Sequence, residues 1–327
     1  MSLPSNKKLS ILYILEVLKE YSDINHLLTQ EEIINKIYSS YGLELERKSI
    51  SSNIDSLIDF GYDIVKTKNG CYLNNREFEN SEIQFLIDAV FSSKSISSKH
   101  SQELANKLSR ILSKHDRKQY DYIYKADSIN RSNNKQLFYT IDVLNEAIKE
   151  GKQVELVYNR FYLNDNKKAN TPRVINPYFL TNNQGVYYLV CNHDYYDDIA
   201  NYKVHKIENI RILDSDVKPI TKLKGCEDGV DIAKYANDNV YMFSNEVVSA
   251  VIKIDKEYIV DYVVDWFGKN AKVYIRDNEI YADITANEQA LIYWCLQYGE
   301  NVSLVEPLST RNKIKEAVSK MNDKYKE

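Results

Sequence analysis

Apolar positions recur at helical spacing in three short groups near the start of the chain, and two alternating runs follow them. The spacing predicts a helix over residues 8–21, a second helix capped by Thr29 and a third that ends at Gly61. The alternating runs surround Asn69-Gly70, a strong local signal for a β-hairpin. Three short helices and a hairpin predict a winged helix-turn-helix domain over residues 1–75, although a small helical dimerisation module has the same shape.

The periodicity changes along the rest of the chain. Residues 76–150 keep helical spacing and predict a helical linker or dimerisation region. Over residues 151–215 apolar and polar positions alternate, and the closely spaced strands predict a small, strongly bent sheet or open barrel. After a polar linker near 214–240, residues 240–327 follow the order βαββαβ with a closing helix, a split ferredoxin-like pattern. The predicted fold class is therefore α+β with several domains.

Size and charge narrow the class of protein. A chain of 327 residues exceeds one ordinary core, and its formal net charge of −4 means that any anion-binding surface must be local. No segment has the apolar length of a membrane span, and the first residues lack the apolar core of a signal peptide. The four scattered cysteines show neither disulfide nor zinc spacing. We expect a cytoplasmic protein without a bound metal.

Motifs for catalysis are missing from the sequence. It contains no Gly-rich phosphate loop, no H-E-x-x-H and no G-x-S-x-G. His193-Asp194 has no nucleophile beside it in the sequence, and Asp197-Asp198 is expected in a solvated loop. We therefore expect neither an enzyme nor a cofactor.

In a helix-turn-helix, the third helix enters the major groove with its N-terminal residues. The candidate DNA contacts on this helix are Arg47, Lys48, Ser49, Ser51, Ser52 and Asn53. At the hairpin tip, Lys66 and Lys68 extend towards the DNA backbone or minor groove. Residues 1–73 hold eight basic and ten acidic side chains, so a merely solvated surface helix is the alternative. The stretch 94–135, with ten basic and four acidic residues, is either a further phosphate contact or a solvated linker.

The strands between Pro172 and Leu213 bring basic and aromatic residues together. Alternation places Lys203 and His205 on one face of the run N-Y-K-V-H-K-I, and Arg173 and His193 from neighbouring segments are expected to converge on them. Such a cluster supplies hydrogen-bond donors for phosphate and aromatic faces for bases. A histidine in the cluster could also make the site pH-dependent.

This succession of strands resembles the WYL domain of bacterial regulators, whose Trp-Tyr-Leu triplet corresponds to Tyr187-Tyr188-Leu189. The family's F-R-L-D-R-I motif corresponds to Tyr202–Ile207, with lysine for both arginines and histidine for the aspartate. The resemblance implies an Sm-like barrel that binds a nucleotide or short single-stranded nucleic acid. The candidate ligand residues are Arg173, Tyr187, Tyr188, His193, Tyr202, Lys203, His205 and Lys206.

The resemblance also covers the two ends of the chain. It implies an N-terminal winged helix, in which Ser52 and Asn53 stand where relatives often carry arginine and aspartate, and a C-terminal extension. Together these features predict a homodimeric bacterial transcription regulator that binds an operator in double-stranded DNA and responds to a nucleotide or oligonucleotide effector. One alternative is a sensor or scaffold that acts through protein partners. Another is a regulator that binds RNA through the barrel itself.

Overall fold

The computed structural model describes residues 7–117, 136–159, 171–232, 235, 239, 241–243, 246–268 and 271–326. The chain is a mixed α/β protein that divides into two compact units, Met1–Asn133 and Asn134–Glu327. The basic stretch 94–135 lies outside the described residues beyond Arg117. Among the helices of the described ranges, none combines the length and apolarity that a bilayer crossing requires.

The first unit begins with three helices and a hairpin, as the sequence predicts. Their bounds are α1 Ser10–Tyr21, α2 Gln30–Tyr41, α3 Arg47–Phe60, β1 Ile64–Thr67 and β2 Gly70–Leu73. The predicted cap at Thr29 forms a complete capping box, because its side chain accepts from the Glu32 backbone and Glu32 accepts from the Thr29 backbone. Gly42 and Gly61 end α2 and α3 in the left-handed conformation.

One apolar core holds these elements together. Ile14, Leu18, Ile33, Ile37 and Ile50 are fully buried in it. The hairpin packs closely as well: the backbone of Leu28 bridges to Cys71, and a Cβ on the neighbouring Gly70 would lie 2.7 Å from the Leu28 carbonyl oxygen. Gly70 is therefore required by close approach as well as by its φ of +141°.

Further helices follow within the first unit, and they enclose a smaller apolar core of their own around Ile83, Ile87 and Ala105. They are α4 Asn80–Ser92, α5 Ser98–Ser109 and α6 Lys114–Arg117. Between β2 and α4, Arg76 donates hydrogen bonds to the carbonyl oxygens of Lys19 (2.9 Å), Ser22 (2.7 Å) and Ile111 (3.2 Å). This half-buried guanidinium ties the three-helix core to the loop after α5.

The second unit opens with a helix and an antiparallel sheet. The elements are α7 Leu137–Glu150, β3 Lys152–Tyr158, β4 Arg173–Asn183, β5 Val186–Asn192, β6 Ala200–Lys203 and β7 Ile207–Asp216. The strand order is β6-β5-β4-β3-β7, so the last strand returns to pair with the first. The prediction that N-Y-K-V-H-K-I forms one strand is wrong. A 3-10 turn over Val204–Lys206 interrupts it, since Val204 and Ile207 are both fully buried.

A second antiparallel sheet follows in the same unit, in the predicted order. Its elements are β8 Val247–Ile254, α8 Ile259–Phe267, β9 Ala271–Arg276, β10 Glu279–Asn287, α9 Glu288–Gln297, β11 Val302–Glu306 and α10 Leu308–Lys324. The strand order is β11-β8-β10-β9, in which the first strand pairs with the third and the fourth. The fully buried Trp294 of α9 packs against Phe267 and Tyr298 and anchors the core of this sheet.

Candidate ligand and nucleic-acid sites

Three residues predicted from the sequence meet at one end of the five-stranded sheet. Arg173, at the start of β4, donates a hydrogen bond of 2.9 Å to the hydroxyl of Tyr202 in β6. His193, in the turn after β5, places its Nε2 2.6 Å from the same hydroxyl. Tyr202 is only 5% exposed, so it acts as the fixed centre of this Arg-Tyr-His cluster.

The direction of the hydrogen bonds in this cluster follows from the chemistry of its members. Arginine can only donate, so the oxygen of Tyr202 accepts from Arg173. The direction of the bond to His193 depends on its tautomer: Nε2 accepts the hydroxyl proton when the ring hydrogen is on Nδ1, and it donates to the oxygen when the hydrogen is on Nε2. Burial, followed by the charge of Arg173, lowers the pKa of His193, which agrees with a neutral ring. The cluster therefore presents the positive charge of Arg173.

Further tyrosine and lysine side chains lie on the strands beside the cluster. The ring of Tyr158, at the end of β3, lies 4.3 Å from that of Tyr202, and its hydroxyl accepts a 3.3 Å hydrogen bond from the Lys203 backbone. Lys203 lies opposite Tyr188 in the β5–β6 register, with its Nζ 6.0 Å from the Tyr188 ring. Tyr187 is 37% exposed and pairs with Asn182 instead. Tyr158 therefore packs against the Arg-Tyr-His cluster, whereas Lys203 and Tyr188 form a neighbouring pair in the β5–β6 register.

His205 and Lys206 reach this region from the 3-10 turn, and not from a strand face as the sequence predicted. Burial, followed by the charges of Lys203 and Lys206, lowers the pKa of His205 from 6.5 to about 4. This histidine is therefore neutral at physiological pH and supplies no fixed charge for an anion.

We expect His205 to make the stability of the second unit pH-dependent. The unfolded chain binds a proton near pH 6.5 and the folded chain near pH 4, so stability is lost as the pH falls through this interval. Allowing for partial solvent exposure, the loss is about 2 kcal/mol. In His205→Asn, this loss of unfolding free energy at low pH should be absent, while the pH dependence that comes from His193 should remain. Urea unfolding at a series of pH values measures it.

Tryptophan fluorescence reports on the second unit in this experiment, since Trp266 and Trp294 both lie there. The matched control is His26→Asn, which changes a histidine of the first unit and should leave the fluorescence transition at its wild-type pH dependence. A His205→Asn protein whose stability falls in parallel with the wild type would contradict the prediction.

A buried polar network positions the turn that carries His193. Asn176 is fully buried, and its amide donates to Asp194 (2.7 Å) and Asn192 (3.2 Å). Its carbonyl oxygen accepts from Gln153 (2.9 Å) and from the Lys218 backbone (2.9 Å). Every hydrogen-bonding position of this side chain is thus used.

The carboxylate of Asp194 accepts hydrogen bonds within this network. Hydrogen bonds from Asn176, opposed by burial and joined by a hydrogen bond from Gln153, lower the pKa of its carboxyl. The ionised carboxylate therefore fixes the start of the turn after β5. In the described ranges no three His, Cys, Asp or Glu side chains are grouped so that they could hold a metal ion.

Sequence reasoning missed Tyr158 and the hydrogen bonds of Asn176 to three side chains and one backbone N–H. The available signal was a polar residue, Asn176, inside the apolar run R-V-I-N-P. A polar side chain at a core position of a strand requires buried partners. Those partners are 16 to 42 residues away in the chain, so the sequence alone does not name them.

In the first unit, four of the predicted DNA contacts meet in one groove of about 450 Å³. They are Arg47 and Ser51 of α3 and Lys66 and Lys68 of the hairpin. The start of α2, Leu28–Glu31, forms the remaining wall.

The other predicted contacts on α3 lie elsewhere. Asn53 is partly buried and donates to Ser49 (3.3 Å) and to Ser10 of α1 (3.3 Å). Lys48 and Ser52 are exposed but outside the residues that line the groove. Of the predicted DNA contacts, four therefore line the groove, Ser49 and Asn53 bond to each other, and Lys48 and Ser52 are exposed outside the groove.

The WYL domain family model matches residues 139–212 of this chain. The match begins inside α7 and ends in β7, so it includes the Arg-Tyr-His cluster and the network around Asn176 except Lys218. No curated protein matches the chain.

Two solved structures are similar to the chain. One is the proteasome accessory factor B/C (PafBC) of Arthrobacter aurescens, with 15% identity and a TM-score of 0.30 over 97% of this chain and 49% of that chain. The other is a structure described as a CRISPR Cas-related protein, with 17% identity and a TM-score of 0.37 over 99% of this chain and 88% of that chain. The chain thus spans about half the length of PafBC.

Proposed function

We propose that this chain is a DNA-binding transcription regulator whose WYL domain senses a nucleotide or a short single-stranded nucleic acid. The observation that carries the proposal is the combination, in one chain, of a WYL match with a three-helix and hairpin module whose groove gathers Arg47, Lys66 and Lys68. A regulator of this kind acts in the cytoplasm.

The finer architecture of the proposal follows from the order of the elements. We assign α1–α3 with the hairpin to a winged helix-turn-helix, since the third helix and the hairpin border one groove. We assign α7 and the first sheet to an Sm-like barrel, supported by the return of β7 to β3. We assign β8–β11 to a ferredoxin-like extension, supported by the strand order β11-β8-β10-β9.

On DNA, α3 would lie in the major groove with Arg47 and Ser51 directed to the duplex. Lys66 and Lys68 would contact phosphates on its flank, since ammonium groups at a hairpin tip bind the backbone without reading sequence. A homodimer would place two such modules on a palindromic operator, because one small module reads too few base pairs for useful specificity.

In the WYL domain, Arg173 would bind a phosphate of the ligand, and the exposed tyrosines would stack on a base. The ligand alters operator affinity only if it binds one geometry of the dimer better than the other. The turn after β5, which carries His193 and is held by Asn176, is the element through which the ligand would act.

Substitution in the groove tests the DNA-binding part of the proposal. We expect Lys68→Ala to weaken binding to duplex DNA about fivefold at low salt and to reduce the slope of log K against log salt by about 0.9, which is one phosphate contact. Fluorescence anisotropy on the DNA upstream of the chain's own gene measures both quantities. The matched control is Lys320→Ala, an exposed lysine of α10 that should bind as the wild type does.

Each alternative predicts a different result in the same assay. No binding to duplex DNA at low salt, with or without nucleotide, would contradict the regulator and favour a scaffold that acts through protein partners. Loss of nucleic-acid binding in Arg173→Ala and Lys203→Ala, with wild-type binding in Lys68→Ala and Lys48→Ala, would favour an RNA-binding barrel.

A further inference from the structure

Two of the cations in the groove of the first unit are paired with carboxylates of neighbouring elements. Arg47 of α3 lies 3.2 Å from Glu31 of α2, and both side chains are 70% exposed. Lys66 of β1 forms an ion pair with Asp55 of α3. A DNA phosphate that approaches Arg47 or Lys66 therefore competes with a carboxylate that already holds the cation.

Both carboxylates contribute little to the stability of the fold. The α2 N-terminus is already capped by Thr29 and Glu32, so Glu31 adds only the modest stabilisation that an exposed acid gains from the helix dipole in the first turn. Asp55 lies in the middle of α3, away from the first turn in which the helix dipole favours an acid. Exposed ion pairs of this kind contribute little to stability. Their charges therefore matter mainly to whatever enters the groove.

The two carboxylates also determine the net charge of the groove. Its lining holds three cations, Arg47, Lys66 and Lys68, and the two carboxylates reduce their net charge to about one positive charge. Binding to DNA of arbitrary sequence depends on phosphate contacts alone, so it is weakened in full by this competition. Binding to an operator also gains contacts to base edges, and a carboxylate on α3 can itself accept from the amino group of cytosine.

We propose that Glu31 and Asp55 are specificity-determining residues: they compete with DNA phosphates for Arg47 and Lys66 and so suppress binding outside the operator. This inference rests on the proposed function, because it assigns a role to the same DNA-binding groove. It explains why a DNA-binding module would keep two acidic residues beside its cations.

Neutral, nearly isosteric substitutions test the inference. We expect Glu31→Gln and Asp55→Asn each to raise affinity for a scrambled duplex about fivefold at low salt, and the salt slope to become steeper by about 0.9 per cation released. The ratio of affinities for the upstream DNA and the scrambled duplex should fall. The matched control is Glu316→Gln, which removes the same charge from an exposed ion pair with Lys320 on α10 and should bind as the wild type does.

A double-substitution cycle identifies the mechanism. If Asp55 acts by holding Lys66, the gain of Asp55→Asn must disappear when Lys66→Ala is also present. A gain that persists without Lys66, or variants that bind the scrambled duplex with wild-type affinity and slope, would overturn the inference while the proposed function stands. If the wild type and every variant fail to bind any duplex at low salt, the proposed function and the inference fail together.

Discussion

Replacing Asn176 with alanine should destabilise the second unit by about 3 to 5 kcal/mol. The side chain is fully buried and makes four hydrogen bonds, so its removal leaves the Lys218 N–H and the Asn192 and Asp194 oxygens without this partner. Each buried polar group that loses its partner costs about 1–3 kcal/mol. Other bonds to Asp194 and Asn192 survive, which keeps the total below a simple sum.

Urea unfolding followed by tryptophan fluorescence measures this loss, since both tryptophans lie in the second unit. The matched control is Asn182→Ala, an exposed asparagine of the same strand whose side chain accepts from the Gly185 backbone in the turn that follows. That change should cost less than about 1 kcal/mol. Equal midpoints for Asn176→Ala and Asn182→Ala would show that the network does not stabilise the sheet.

The asparagine network also shows where sequence reasoning stops. Local signals such as the cap at Thr29, the helix end at Gly61 and the order of the C-terminal elements were confirmed, because each depends on residues only a few positions apart. A buried asparagine depends on partners from other strands and from the segment after β7. Those partners follow from the register of the sheet, which the pattern of one strand does not determine.

The run N-Y-K-V-H-K-I illustrates a second limit. Its alternating residues predicted a strand, but Val204 and Ile207 are both buried and three positions apart, which a strand cannot place on one face. The 3-10 turn Val204–Lys206 solves this by turning the chain between β6 and β7. The sequence also did not predict the ion pair between Lys66 and Asp55. These residues are eleven positions apart and meet only after the hairpin folds back.

The Arg-Tyr-His cluster gives the largest expected effect on ligand binding. We expect Arg173→Ala to weaken binding of a short single-stranded oligothymidylate, or of a nucleoside monophosphate, roughly 30- to 100-fold. A hydrogen bond between charged groups contributes about 1.5–3 kcal/mol, and every 1.4 kcal/mol is about a factor of ten in affinity. Isothermal titration calorimetry with each probe measures the effect.

Arg211→Ala is the matched control, because Arg211 is an exposed arginine of β7 in the same sheet and pairs with Glu155 outside the cluster. It removes the same charge and should leave affinity within about twofold, since exposed charges are screened by salt. Tyr202→Phe separates charge from geometry, since it keeps Arg173 but removes the hydroxyl that orients it. We expect an intermediate loss for Tyr202→Phe. Equal affinity in Arg173→Ala and Arg211→Ala would show that the ligand does not bind at this cluster. Wild-type affinity in Tyr202→Phe alone would show that Arg173 binds the ligand without being oriented by the tyrosine.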